Sequence, residues 1–236
     1  MTSRPVPRAL IQIAGVVDLD EGRMLVSQGV DWLGWPLRLP VNAEDVSEPE
    51  AARLVAALPP VERHVLITYE NTAAGADAFC RQLGVQRIQL HGDISLAELR
   101  RLRELRPDLY IIKSLVVTAR NEAALQALVQ EAAPWVDAFI TDTFDPATGA
   151  EGATGQTHDW DISRRLVESS PQPVILAGGL GPDNVAAAIR QVRPAGVDVH
   201  TGVEGGDGRK DPALVARFVA EARAAFQAVD GEADHG

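Results

Sequence analysis

Val174-Ile175-Leu176-Ala177-Gly178-Gly179-Leu180 runs into Gly181-Pro182-Asp183-Asn184 and an Ala/Val-rich segment to Val192, and Gly196-Val197-Asp198-Val199-His200-Thr201-Gly202-Val203-Glu204 follows. Two short apolar runs each end in glycines, and an amphipathic segment joins them. This is strand, glycine turn, helix, strand, glycine turn, the grammar of a parallel βαβ unit. Glycines at the carboxyl ends of two neighbouring strands let backbone N–H groups approach an anion closely. In a (β/α)8 barrel the last two strands form the usual phosphate cradle. A single Gly-Gly is no more than a tight turn. Two glycine turns, each directly after a strand, favour phosphate.

Outward from this unit the same alternation fills the chain. Strands are predicted over 10–14, 32–35, 64–68, 86–90, 110–116, 138–141, 174–177 and 196–199. Helices are predicted over 20–28, 48–58, 72–83, 95–105, 122–132, 162–168, 184–192 and 212–228. Ser47 is placed as an N-cap with Pro49 in the first turn, Gly84 as a C-cap, and Pro107 as the stop of the fourth helix. Strict strand–helix alternation indicates a parallel sheet with crossovers. Ala14-Gly15-Val16-Val17 is not the Gly-rich dinucleotide turn of an open doubly wound sheet. The reading is therefore an α/β protein, a single (β/α)8 barrel over 9–228, with an N-terminal arm over 1–8, a disordered tail over 229–236 and no cofactor.

Composition bounds the function. The chain has 236 residues, 46% of them hydrophobic, which suits one barrel with a large core. No apolar run is long enough to span a bilayer, and the proline-broken start is not a signal peptide. Cys80 is the one cysteine, so no intrachain disulfide forms, which fits a reducing cytoplasm. A formal net charge of −11 argues against nucleic-acid or anionic-membrane binding. The expected partner is a small phosphorylated sugar, held by local backbone donors, and the expected assembly is a monomer or homodimer.

In such a barrel the chemistry lies at the carboxyl ends of the strands. That rule selects Ala14-Gly15, Gly34 to Arg38, Thr68 to Asn71, His91-Gly92-Asp93, Lys113-Ser114, Asp142-Thr143, the strand-seven glycines and His200-Thr201.

At these positions the chain resembles phosphoribosylanthranilate isomerase, the (β/α)8 enzyme of tryptophan biosynthesis. Gln89-Leu90-His91-Gly92 is similar to the family's strand-four motif. Thr141-Asp142-Thr143, followed by Gly152-Ala153-Thr154-Gly155-Gln156-Thr157-His158-Asp159-Trp160, is similar to its Asp-Thr and Gly-Gly-Thr-Gly-Lys-Thr-Phe-Asp-Trp segment. Leu176-Ala177-Gly178-Gly179-Leu180 with Asn184-Val185, and Gly196 to Val199 with Gly202-Val203-Glu204 and Lys210-Asp211-Pro212, complete the match over the second half of the chain.

The resemblance implies an Amadori rearrangement of an aminoaldose 5-phosphate to an aminoketose. A general acid opens the furanose ring and a general base takes the C2 proton. Asp142 matches the acid. His91 and Gly155 are candidate substrate contacts, and the two glycine turns offer the backbone of Gly178, Gly179, Leu180, Thr201, Gly202 and Val203 to the phosphate. The family's base is the cysteine of Ile-Cys-Gly, which here reads Ile13-Ala14-Gly15. Its Ser-Pro-Arg after strand two has no counterpart; Arg38 is the nearest arginine, in a shifted position. His200-Thr201 replaces a pair of small hydroxyl residues. General-base catalysis is worth roughly two to four powers of ten in rate. Either the base is replaced or the reaction has changed, to another phosphosugar conversion or to binding alone. His200 is the candidate replacement, because imidazole titrates near neutrality and strand eight neighbours strand one once a barrel closes.

Each candidate has a plainer reading. Asp142 can cap its own turn, and His91 can donate to a backbone carbonyl. His200 can point away from the site. Lys113 is either inward and functional or a snorkelling surface residue. One of Tyr69 and Glu70 must face the loops. Asp20 reads as a helix N-cap, and Cys80 as a buried small hydrophobe. His91, Asp93, Asp142 and His200 lack any local metal-ligand spacing, so no metal is assigned.

Overall fold

The computed structural model describes residues 9–40, 44–118, 120–143 and 160–233. Eight parallel strands close in sequence order: β1 Leu10–Ala14, β2 Trp32–Pro36, β3 His64–Thr68, β4 Arg87–Leu90, β5 Tyr110–Val117, β6 Ala138–Thr143, β7 Val174–Leu176 and β8 Gly196–Val199. The helices between and after them are α1 Leu19–Ser27, α2 Glu48–Ala57, α3 Ala73–Leu83, α4 Leu96–Leu105, α5 Glu122–Ala132, α6 Trp160–Ser169, α7 Val185–Val192 and α8 Pro212–Ala233. The seam pairs β1 with β8, Leu10 opposite Gly196 and Ile13 opposite Val199.

The helices begin where side-chain oxygens can serve orphan N–H groups. Ser47, Thr72 and Ser95 accept from the N–H groups of Glu50, Gly75 and Glu98. Gly84 closes α3 in the left-handed conformation, φ +75°, as a C-cap glycine does. One cap differs from expectation. Asp18, not Asp20, caps α1, its carboxylate accepting from Glu21 N at 2.9 Å. Asp18 is extended and sits one residue before the helix, where its oxygen can reach forward to a first-turn amide; Asp20 is already inside the turn.

Alternation along each strand sorts the core into two layers. Leu10, Ala14, Trp32, Val65, Ile67, Tyr110, Ile112, Ile140, Ile175 and Ala177 fill the barrel interior. Ile11, Ile13, Leu33, Leu66, Ile88, Ile111, Leu115 and Val197 face the helices, where Cys80 is also fully buried. Burial pushes the Cys80 thiol up to about 12. At the far end, α8 runs through 229–233, which the sequence analysis placed in a disordered tail, and Val229 packs against the outer core.

Candidate active site

The same alternation aims the chemistry. Inward parity on β1 continues from Leu10 through Gln12 to Ala14, and on β8 from Gly196 through Asp198 to His200. On β6 it runs Ala138, Ile140, Asp142. Asp142, Asp198 and His200 therefore face one mouth, and all three line a cleft of about 220 Å³ with the glycine turns after β7 and β8.

Asp142 is buried at the end of β6. Its Oδ1 accepts from Thr143 N at 2.7 Å, and its Oδ2 lies 3.1 Å from His91 Nε2. His91 follows β4, stacks on Tyr69 with ring centroids 5.2 Å apart, and keeps a buried Nδ1 without a hydrogen-bond partner among the described residues. His91 is thus a partner of the carboxylate rather than of a backbone carbonyl. Tyr69 turns toward the mouth, while Glu70 turns to Arg38.

Asp198 was not singled out from the sequence. It lies opposite Gln12 in the seam and is buried at the wall of the cleft. Burial, then the neighbouring Asp142 carboxylate, push it up to about 7, against a hydrogen bond from Gln12. Its Oδ1 and Gln12 Oε1 both lack hydrogen-bond partners among the described residues. A charged residue on the inward parity of an otherwise apolar strand was the available signal.

His200 points into the site. A Cβ built on Gly15 would fall 2.1 Å from His200 Nε2, so the imidazole occupies the space over the end of β1, beside Ala14. Nε2 is 3.6 Å from both Asp45 Oδ2 and Glu204 Oε1. The His200 carbonyl accepts from Lys210 Nζ at 3.1 Å, and Lys210 pairs with Glu204 at 2.6 Å. Burial, then the Lys210 charge, push His200 down to about 4, with Asp142 opposing. The ring is neutral at pH 7.

The two glycine turns interlock. Gly178 and Gly179 adopt φ +95° and +62°, which side chains disfavour. Asn184 braces the first turn, donating to Gly179 O and accepting from Gly181 N, both at 2.9 Å. Gly202 lies under Leu180, whose carbonyl oxygen would be 1.9 Å from an added Cβ. Among the described residues the N–H groups of Gly178 and Gly179 make no hydrogen bond. Leu180 and Thr201 line the cleft, and Val203 is buried beside it in a short 3₁₀ turn.

Other predicted residues lie elsewhere. Arg38 is left-handed at φ +56°, stacks over Phe79, and pairs with Glu48 and Glu70 at 2.8 and 2.6 Å; it does not reach the cleft. Lys113 is neither an interior group nor a surface residue. It shares the parity of Ile111 and Leu115, is buried, and donates to the carbonyls of Gly92 and Ser114. Asp93 is exposed. Gly155 and the rest of 144–159 lie outside the described residues.

A closed barrel with its titratable side chains gathered at the carboxyl ends of the strands defines an enzyme of the (β/α)8 class. Sequence comparison gives the family. Residues 37–221 match the family model described as N-(5'-phosphoribosyl)anthranilate (PRA) isomerase. A relative from Haloferax volcanii named N-(5'-phosphoribosyl)anthranilate isomerase is 38% identical, covering 93% of this chain and 96% of its own. A second, N-(5'-phosphoribosyl)anthranilate isomerase 2 from Methanosarcina mazei, is 35% identical over 92% of this chain and 95% of its own. Among solved structures, phosphoribosyl anthranilate isomerase from Thermotoga maritima superposes with a TM-score of 0.77 at 26% identity, over 92% of this chain and all but 1% of the other (99%). The chain belongs to the N-(5'-phosphoribosyl)anthranilate isomerase family, whose members are aldose–ketose isomerases. No helix among the described residues is long and apolar enough to cross a membrane.

Proposed function

We propose that this chain carries out the family's Amadori-type isomerisation of a phosphorylated ribosyl-amine with Asp142 as acid at the ring oxygen and His200 as base at C2. The observation that carries this reading is the position of the His200 ring, over the end of β1 where the family keeps its cysteine. Asp142 and His200 line the same cleft as the glycine turns, so one substrate can meet all three. The phosphate is held by backbone N–H groups of Gly178, Gly179, Leu180, Thr201, Gly202 and Val203, which suits a chain whose net charge is −11. Gly155 contributes with its segment, and His91 orients Asp142.

The base step follows from the ring's state. A neutral imidazole accepts the C2 proton; the C2–H bonding pair becomes the C1–C2 double bond, and the iminium nitrogen regains its pair. A base held near 4 has less driving force than imidazole in water, so burial slows the step, while the nearby carboxylates favour the imidazolium as it forms.

A second reading, a different group on the sugar, is favoured by one observation. Arg38 is committed to Glu48 and Glu70, so the family's arginine after strand two has no free counterpart there. Growth without tryptophan in a strain lacking its own isomerase tests the choice. Restored growth supports the first reading. Failure by a soluble, folded chain supports the second.

A further inference from the structure

We infer that Asp45, in the segment leading into α2, is the positioning residue of His200, holding the imidazole over the end of β1 in the tautomer that leaves Nδ1 as proton acceptor. This rests on the reading of His200 as the base.

Three groups converge on one point. A Cβ on Gly15 would meet His200 Nε2 at 2.1 Å, His200 Cδ2 at 2.6 Å and Asp45 Oδ2 at 3.1 Å. Gly15, at φ +80°, is the gap that admits both side chains. The two carboxylates near Nε2 are not equivalent. Glu204 is already neutralised by Lys210 at 2.6 Å, a lysine whose side chain is almost wholly buried and whose other contact is the His200 carbonyl. Among the described residues Asp45 has one ion-pair partner, His200. Burial raises the proton affinity of Asp45, and the Glu204 and Glu21 charges add to it, against Lys210. An ionised carboxylate is a strong acceptor for an imidazole N–H.

The logic is that of a base oriented by an acid. A proton on Nε2 faces Asp45, so Nδ1 carries the lone pair. When Nδ1 takes a substrate proton, the new positive charge stands against the Asp45 carboxylate. At 3.6 Å the contact is longer than a hydrogen bond, and such contacts tighten in the substrate complex. The family's thiolate needs no such partner, because a thiol carries no tautomer to fix. Replacing it with imidazole creates the need, and Asp45 meets it.

The test uses the full chain with Asp45→Asn, Asp45→Glu, His200→Ala and the Asp45→Asn/His200→Ala pair. Isomerase turnover is measured on phosphoribosylanthranilate, and thermal unfolding confirms that each variant is folded. Asp45→Asn is expected to lower kcat about tenfold or more with KM within about twofold, and Asp45→Glu to recover part of the loss. In the His200→Ala background Asp45→Asn is expected to cost nothing further. An equal loss in that background, or no loss in the wild type, overturns the proposal. Nitrogen-15 NMR of histidine-labelled protein reads the tautomer directly and does not depend on activity. The Nε2–H form in the wild type, giving way to a mixture in Asp45→Asn, supports positioning; an unchanged tautomer overturns it. If His200→Ala leaves kcat intact, the base reading fails, and the tautomer measurement still decides whether Asp45 holds the ring.

Discussion

The imidazole of His200 stands where a side chain on Gly15 would stand, Nε2 lying 2.1 Å from the position of an added Cβ. Gly15, the residue after Ala14, is thus the floor beneath a histidine from the neighbouring strand. The space and the ring belong together, and changing either disturbs the other.

Gly15→Ala tests that relationship from the floor. The added methyl must displace the ring, and φ +80° is itself a conformation that alanine disfavours. Isomerase kcat is expected to fall at least about tenfold, with a loss of about 1–2 kcal/mol in stability by denaturant unfolding. A variant that unfolds earlier yet turns over normally would show that the ring has another place to go.

Gly202→Ala tests the cradle. The new Cβ would press on the backbone carbonyl of Leu180, which cannot swing aside as a side chain does, so the turns after β7 and β8 must separate. The expected result is a KM for the phosphorylated substrate raised about tenfold or more, with inhibition by inorganic phosphate weakened in parallel. An unaltered KM would place phosphate binding elsewhere.

The protonation of His200 links the site to stability. In the folded protein the ring stays neutral down to about 4, whereas the unfolded chain takes up a proton near 6.5. Between those pH values the unfolded state binds more protons, so stability is full above about 6.5 and is lost as pH falls through the window. The loss attributable to His200 is at most about 3.5 kcal/mol. Burial lowers His64 in the same direction, so the readout is the difference between wild type and His200→Gln. The difference should shrink steadily from pH 7 to pH 4. Parallel curves would mean that the ring is already solvated and protonates freely.

Much of this was legible in the sequence, and the exceptions have physical causes. The bounds of β1, β3, β8 and α5 match the predicted ones because each is a short apolar run or amphipathic segment with turn residues at both ends. The positions of the glycine turns after β7 and β8, and of Asp142 at the end of β6, were visible because strand ends are fixed by local pattern. Arg38 was chosen for its nearness to strand two, which says nothing of its left-handed backbone or of the two glutamates it pairs with. Asp198 needed only the two-residue period carried back from His200. Asp45 had no sequence signal, since its approach to His200 joins two segments far apart in the chain and exists only once the barrel has closed.

The most direct measurement is the steady-state kinetics of His200→Ala on phosphoribosylanthranilate, with kcat and KM resolved. If imidazole is the base that stands in for the family cysteine, kcat falls about a hundredfold or more while KM changes little. A raised KM with kcat unchanged would assign His200 to recognition, and unchanged kinetics would remove it from the reaction; either result contradicts the account.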